Sequence, residues 1–171
     1  MSDASTDERA LASGHYLLVY EFGAAANFEG QLVGALERMQ ATGESRIFDA
    51  LFVASDRDTH EVTAIDLRSG GPDDAVARLL TFRLDPGARK HATAQALGDA
   101  CSVPAELIRE LGRALEPGGA LMALLTRGPA WTELGDAVAR TGGWMLSVER
   151  VQSSSLGALA PNLRAAVRRS H

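Results

Sequence analysis

The chain has 171 residues, a formal net charge of −5, and 46% hydrophobic, 23% charged and 5% aromatic residues. That size fits one compact domain with short tails, able to bury roughly 68–70% of its unfolded surface without staples. The acidic balance repels phosphate backbones and argues against nucleic-acid binding. No apolar run reaches the roughly 18 residues of a membrane span. The start lacks the apolar stretch of a signal peptide, so the cytoplasm is the expected compartment.

Residues 1–14 are small, polar and acidic and read as a flexible leader. His15-Tyr-Leu-Leu-Val-Tyr-Glu-Phe22 reads as a strand, with Tyr16, Leu18, Tyr20 and Phe22 on one face and Leu17 and Val19 on the other. Two apolar faces predict a central position in the sheet. Phe28, Leu32, Leu36 and Met39 then form the stripe of an amphipathic helix, with Asn27 as N-cap and Gly43 as its stop. Residues 46–54 and 61–67 are the next two strands, and the turn formers Ser55-Asp-Arg-Asp-Thr-His60 make them an antiparallel hairpin with a longer loop.

After Ser69-Gly-Gly-Pro-Asp-Asp74, residues 75–100 are Ala-rich and weakly periodic, and read as helical with an interruption at Asp85-Pro-Gly87. Val103, Leu107, Ile108, Leu111 and Leu115 share one face of a further helix that has Pro104 in its first turn. The continuous apolar run 120–126 has the length and composition of a buried strand. Residues 129–141 form a helix with Trp131, Leu134, Ala137 and Val138 inward, and 144–151 form the last strand. Leu156, Leu159, Leu163 and Val167 mark a terminal helix around Pro161. Arg164, Arg168 and Arg169 give the last eleven residues a charge of +3, read as a solvated basic tail.

This order, β-α-β-β-(helices)-β-α-β-α, predicts an α+β fold. Its sheet is mixed and mainly antiparallel, of about five strands, with helices on one face and a helical insertion before the fourth strand. The expected divisions are a leader at 1–14, an α+β domain at 15–151 that contains the insertion 72–115, and a helix with a basic tail at 152–171. An apolar sheet face left uncovered by one helical layer would pack against a second copy of the chain.

Few residues suggest chemistry. Asp56, Asp58, His60 and Glu61 alternate in the hairpin loop as cation ligands would, but the further carboxylate and glycine of a calcium loop are absent. A polar turn with Asx-type hydrogen bonds explains them. His60-Glu61 also opens like a zincin helix, yet the position four residues after His60 is Ala64. Cys101 is the only cysteine, which excludes a disulfide within the chain, and no partner base adjoins it in sequence. Lys90 stands alone against sixteen arginines, so any Schiff-base chemistry would have to use it. His15, Tyr16, Tyr20 and Glu21 on the first strand are the one ionisable set able to line a sheet-face pocket. No residue is assigned a catalytic, cofactor-binding or metal-binding role, and no cofactor is expected.

Tyr16-Leu-Leu-Val-Tyr-Glu-Phe22, Ile47-Phe-Asp-Ala-Leu-Phe-Val-Ala-Ser-Asp56 with Val62-Thr-Ala-Ile-Asp-Leu67, and Leu115-Glu-Pro-Gly-Gly-Ala-Leu-Met-Ala-Leu-Leu125 resemble an uncharacterised bacterial family. Trp131 and the Ala139-Arg-Thr-Gly-Gly143 corner fit it as well. It is a family of small ferredoxin-like proteins known as a domain of unknown function, and the resemblance spans residues 15–168. It implies a ferredoxin-like fold and brings no catalytic residues. Some relatives carry a Gly-rich, membrane-associated middle segment, whereas residues 72–100 here are charged and Ala-rich.

The expected function is a non-catalytic, self-associating scaffold or a binding module for a protein partner or small ligand. The alternative is a small cofactor-independent enzyme with a sheet-face pocket in a dimeric ferredoxin-like barrel. Attachment of the C-terminal arginines to an anionic membrane or polymer is a third reading, with fewer basic residues than a polybasic cluster needs.

Overall fold

The structure, a computed structural model, describes residues 15–24, 34–38, 46–67, 78–79, 81–82, 84–98, 103–127, 131–153 and 155–170. Among the described residues five strands form one sheet: β1 (His15–Phe22), β2 (Arg46–Ser55), β3 (Val62–Asp66), β4 (Ala120–Arg127) and β5 (Gly143–Val151), in the spatial order β3-β2-β4-β1-β5. Every neighbouring pair is antiparallel. β1 and β2 therefore run in the same direction with β4 inserted between them, and no two parallel strands touch among the described residues. The sheet is antiparallel throughout, where the sequence suggested a mixed one.

Helices α1 (Pro86–Ala96), α2 (Ala105–Ala114), α3 (Trp131–Arg140) and α4 (Ala160–Ser170) accompany the sheet, with a 3-10 turn at Leu156–Leu159. Residues 34–38 are helical, as are 78–79, 81–82 and 84. The expected helix carrying Phe28, Leu32 and Met39 lies otherwise outside the described residues, as do residues 1–14, 69–74 and Cys101. Asp85 is non-helical between helical residue 84 and the helix that begins at Pro86, so the expected interruption falls there, and it is also the start of α1. The Asp85 carboxylate accepts hydrogen bonds from the Gly87 and Ala88 amides, and Pro86 sits where its missing N–H costs nothing.

Alternation along β1 and β4 divides the core in two. Tyr16, Leu18, Tyr20 and Phe22 join Met122, Leu124, Phe52 and Ile65 on one face, covered by Ala35 and Leu36, Leu79 and Phe82, and Leu134, Ala137 and Val138 of α3. Leu17 and Val19 join Leu51, Val53, Leu121, Ala123 and Leu125 on the other, covered by Leu107, Ile108 and Leu111 of α2 and by Leu156, Leu159, Leu163, Ala166 and Val167. Helices therefore lie on both faces, and the expectation of one helical layer is corrected. Strands that are apolar on both sides need two covers, and α2 and α4 each bring an apolar stripe that has to be buried. The face assigned to a second copy is filled by the chain itself.

The C-terminal segment belongs to that second layer. Leu163 and Ala166 are fully buried, and Arg164 pairs with Glu110 of α2 at 3.0 Å. The arginines read as a solvated tail thus sit on a packed helix, and Arg169 lies 3.9 Å from Glu149. Asn162 Nδ2 also donates to Glu149 at 3.1 Å. One buried carboxylate anchors the start of this segment. Asp49, 1% exposed beside a β-bulge in β2, accepts from its neighbour Ala50 N and, across the fold, from Leu156 N, both at 3.0 Å. No helix among the described residues is long and apolar enough to cross a membrane.

Candidate functional site

The four ionisable residues of β1 do not converge. Tyr16 and Tyr20 are buried within the helix-covered core beside α3. Glu21 pairs across the sheet with Leu121 and Trp144, placing it toward the opposite face. His15 stands at the strand start on that same side, its ring 4.8 Å from Phe48 and its Nδ1 3.3 Å from Ser153 O. Six residues of strand separate His15 from Glu21 by about 20 Å. Burial raises the Tyr20 phenol far above its ordinary value, and its hydroxyl has no hydrogen-bond partner among the described residues. It is a core side chain.

The hairpin loop uses its own polar groups. Asp56 Oδ1 accepts from the amides of Asp58 and Thr59, both at 2.9 Å, and His60 closes the turn in the left-handed region at φ 61°. Those amide hydrogen bonds hold the Asp56 carboxyl below the usual carboxylate range, with a smaller contribution from Arg89. This is the Asx-type turn that the residue pattern suggested. Among the described residues no three His, Cys, Asp or Glu side chains gather as metal ligands would.

Two features emerge that sequence alone did not assign. The first is a difference between the sheet edges. At the β3 edge, Thr93 of α1 accepts from Ala64 N at 3.1 Å and donates to Arg89 O at 2.7 Å, so a helix is fastened along the strand. An edge covered this way cannot template another strand. At the β5 edge no further strand pairs among the described residues, and Trp144, Met145 and Val148 are 45%, 50% and 37% exposed. A bulge between the β1 partners Val19 and Tyr20 shifts the alternation. Met145 and Val148 therefore lie on the Tyr20 and Leu18 side, and Trp144 on the Glu21 side.

The second is a groove of about 800 Å³ where β3 meets α1 and α2. Arg89 and Lys90 enter it from α1, Arg109 and Arg113 from α2, and Asp56 and Glu61 from the hairpin, while Val62, Pro86, Ala94 and Leu97 supply apolar wall. A smaller hollow of about 340 Å³ adjoins it at Asp56, Thr63 and Arg89, with Phe52 and Phe82 among its lining. The sequence singled out Lys90 for its rarity but gave no sign that it shares a groove with α2. Comparison with family models, with curated proteins and with solved structures finds no match for this chain.

Proposed function

We propose that this chain is a non-catalytic cytoplasmic binding module that self-associates by pairing β5 with the β5 strand of a second copy. The observation that carries this reading is the unequal treatment of the two edges: α1 covers β3, while β5 offers backbone groups that no strand among the described residues pairs and three exposed apolar side chains. Proteins usually blunt an exposed edge with charge, proline or a covering element, and the apolar positions of β5 do the opposite.

The register is self-complementary. A twofold antiparallel pairing centred on Val148 keeps the faces matched on both sides of the bulge. Val148 then opposes the partner's Val148, Ser147 opposes the partner's Glu149, and Trp144 opposes the partner's Val151. No like charges face one another, which such a ladder requires.

The topology supports the resemblance to small ferredoxin-like proteins of unknown function. β2, β4, β1 and β5 follow the order of a split βαβ pair, with β3, α1 and α2 inserted between β2 and β4. The enzymatic alternative has less support, because both sheet faces are packed and its four candidate residues divide between them. Sedimentation velocity tests the reading directly. The wild-type chain is expected to dimerise, and Val148→Lys, which places two ammonium groups opposite each other, is expected to be monomeric with an unchanged circular dichroism spectrum. A strictly monomeric wild type at high micromolar concentration, or a dimeric Val148→Lys, would refute it.

A further inference from the structure

We propose that the groove between β3, α1 and α2 binds a small aliphatic phosphate ester, gripped by Lys90 and Arg109. The chain as a whole carries −5, yet this groove sets four cationic side chains against two carboxylates. Half of those six charges already have partners. Arg89 Nε donates to Phe82 O at 3.0 Å, Arg113 pairs with Glu106 at 3.3 Å, and Asp56 is engaged by the amides of its own turn. Lys90 and Arg109 have no ion pair or side-chain hydrogen bond among the described residues. Cations that outnumber the carboxylates of one groove four to two repel each other, and a bound dianion offsets that excess.

The lining narrows the ligand class. A guanidinium presents a planar fork that matches phosphoryl oxygens, and an ammonium adds a point charge beside it. Val62, Pro86, Ala94 and Leu97 give the body of the ligand an aliphatic wall. The described lining of this groove holds no aromatic side chain, so a nucleobase finds no stacking platform there. The volume lies within the range of small-molecule sites, roughly 300–1,000 Å³. This site is at the opposite edge of the sheet from β5, so it stands independently of the self-association reading.

The test uses the full chain at constant ionic strength, titrated calorimetrically with butyl phosphate, inorganic phosphate and adenosine monophosphate. Butyl phosphate is expected to bind saturably and more tightly than the other two. Lys90→Gln and Arg109→Gln are each expected to weaken it about tenfold or more, the scale of losing one charge-assisted hydrogen bond. Arg140→Gln, exposed on α3 away from the groove, is expected to leave it unchanged. Because Lys90 is the only lysine, its acylation by an amine-specific reagent, read by peptide mass, should slow in the presence of butyl phosphate. Val148→Lys should bind equally well, which separates this claim from the dimer. Absence of saturable binding, or equal binding by both groove variants, overturns the site. Equal affinity for inorganic phosphate, or tighter binding of adenosine monophosphate, overturns the aliphatic assignment.

Discussion

Replacing Asp49 with alanine tests how the C-terminal segment is held on the sheet. The carboxylate is 1% exposed and accepts from two backbone amides, Ala50 N and Leu156 N, each at 3.0 Å. Its removal leaves the buried Leu156 amide without its acceptor and opens a small void beside the β2 bulge. An unsatisfied buried donor costs about 1–3 kcal/mol, so losing both contacts should destabilise the fold by about 3 kcal/mol. For a chain of this size that corresponds to a fall in Tm of roughly 6–12 °C. Asp49→Asn keeps one accepting oxygen and should cost about half as much. Urea denaturation gives the free energies, and hydrogen exchange at Leu156 shows whether the loss is local. An Asp49→Ala protein within about 0.5 kcal/mol of wild type, the range of an inconsequential surface change, would refute the anchoring role.

Other substitutions probe the two core layers and the hairpin turn. Tyr20→Phe removes a buried hydroxyl that has no partner among the described residues and should leave stability unchanged or raise it by about 1 kcal/mol, measured by denaturation. Gly112→Ala would place a Cβ 2.5 Å from both methyls of Val62, so overpacking of about 1–3 kcal/mol should outweigh the helix-propensity gain of about 1 kcal/mol. Adding Val62→Ala should recover the loss. The Asp56 carboxyl titrates below its ordinary value, so the stability its charge provides is present above the ordinary carboxylate value and lost as pH falls through the lowered one. Asp56→Asn should accordingly weaken the fold near neutrality and converge with wild type in acid, and carboxyl-carbon NMR should show the depressed titration directly.

Much of the fold could be read from the residues because periodicity and burial coincide. The stripe of Leu107, Ile108 and Leu111 forms α2, and seven buried residues in a row form the central strand β4. In the 75–100 segment the Asp-Pro pair announced the break at Asp85, and the capping hydrogen bonds show that the same residue starts α1. The second helical layer escaped because apolar stripes in a sequence do not declare which face they cover. Asp49 gave a signal, a lone acid inside an apolar strand, but its partner Leu156 lies 107 residues away. The groove gave less, because Lys90 and Arg109 come to line one hollow only through the way α1 and α2 flank β3.

Hydrogen exchange along β5 as a function of protein concentration tests the central claim most directly. Every second amide of this edge strand points away from β1, and in the pairing centred on Val148 those amides donate to the partner's carbonyls. Their exchange should slow as concentration rises, in step with the dimer fraction from sedimentation, while the amides of β3 beside Thr93 stay unchanged. Protection that rises elsewhere with dimerisation, or outward amides of β5 that exchange equally fast in monomer and dimer, would contradict it.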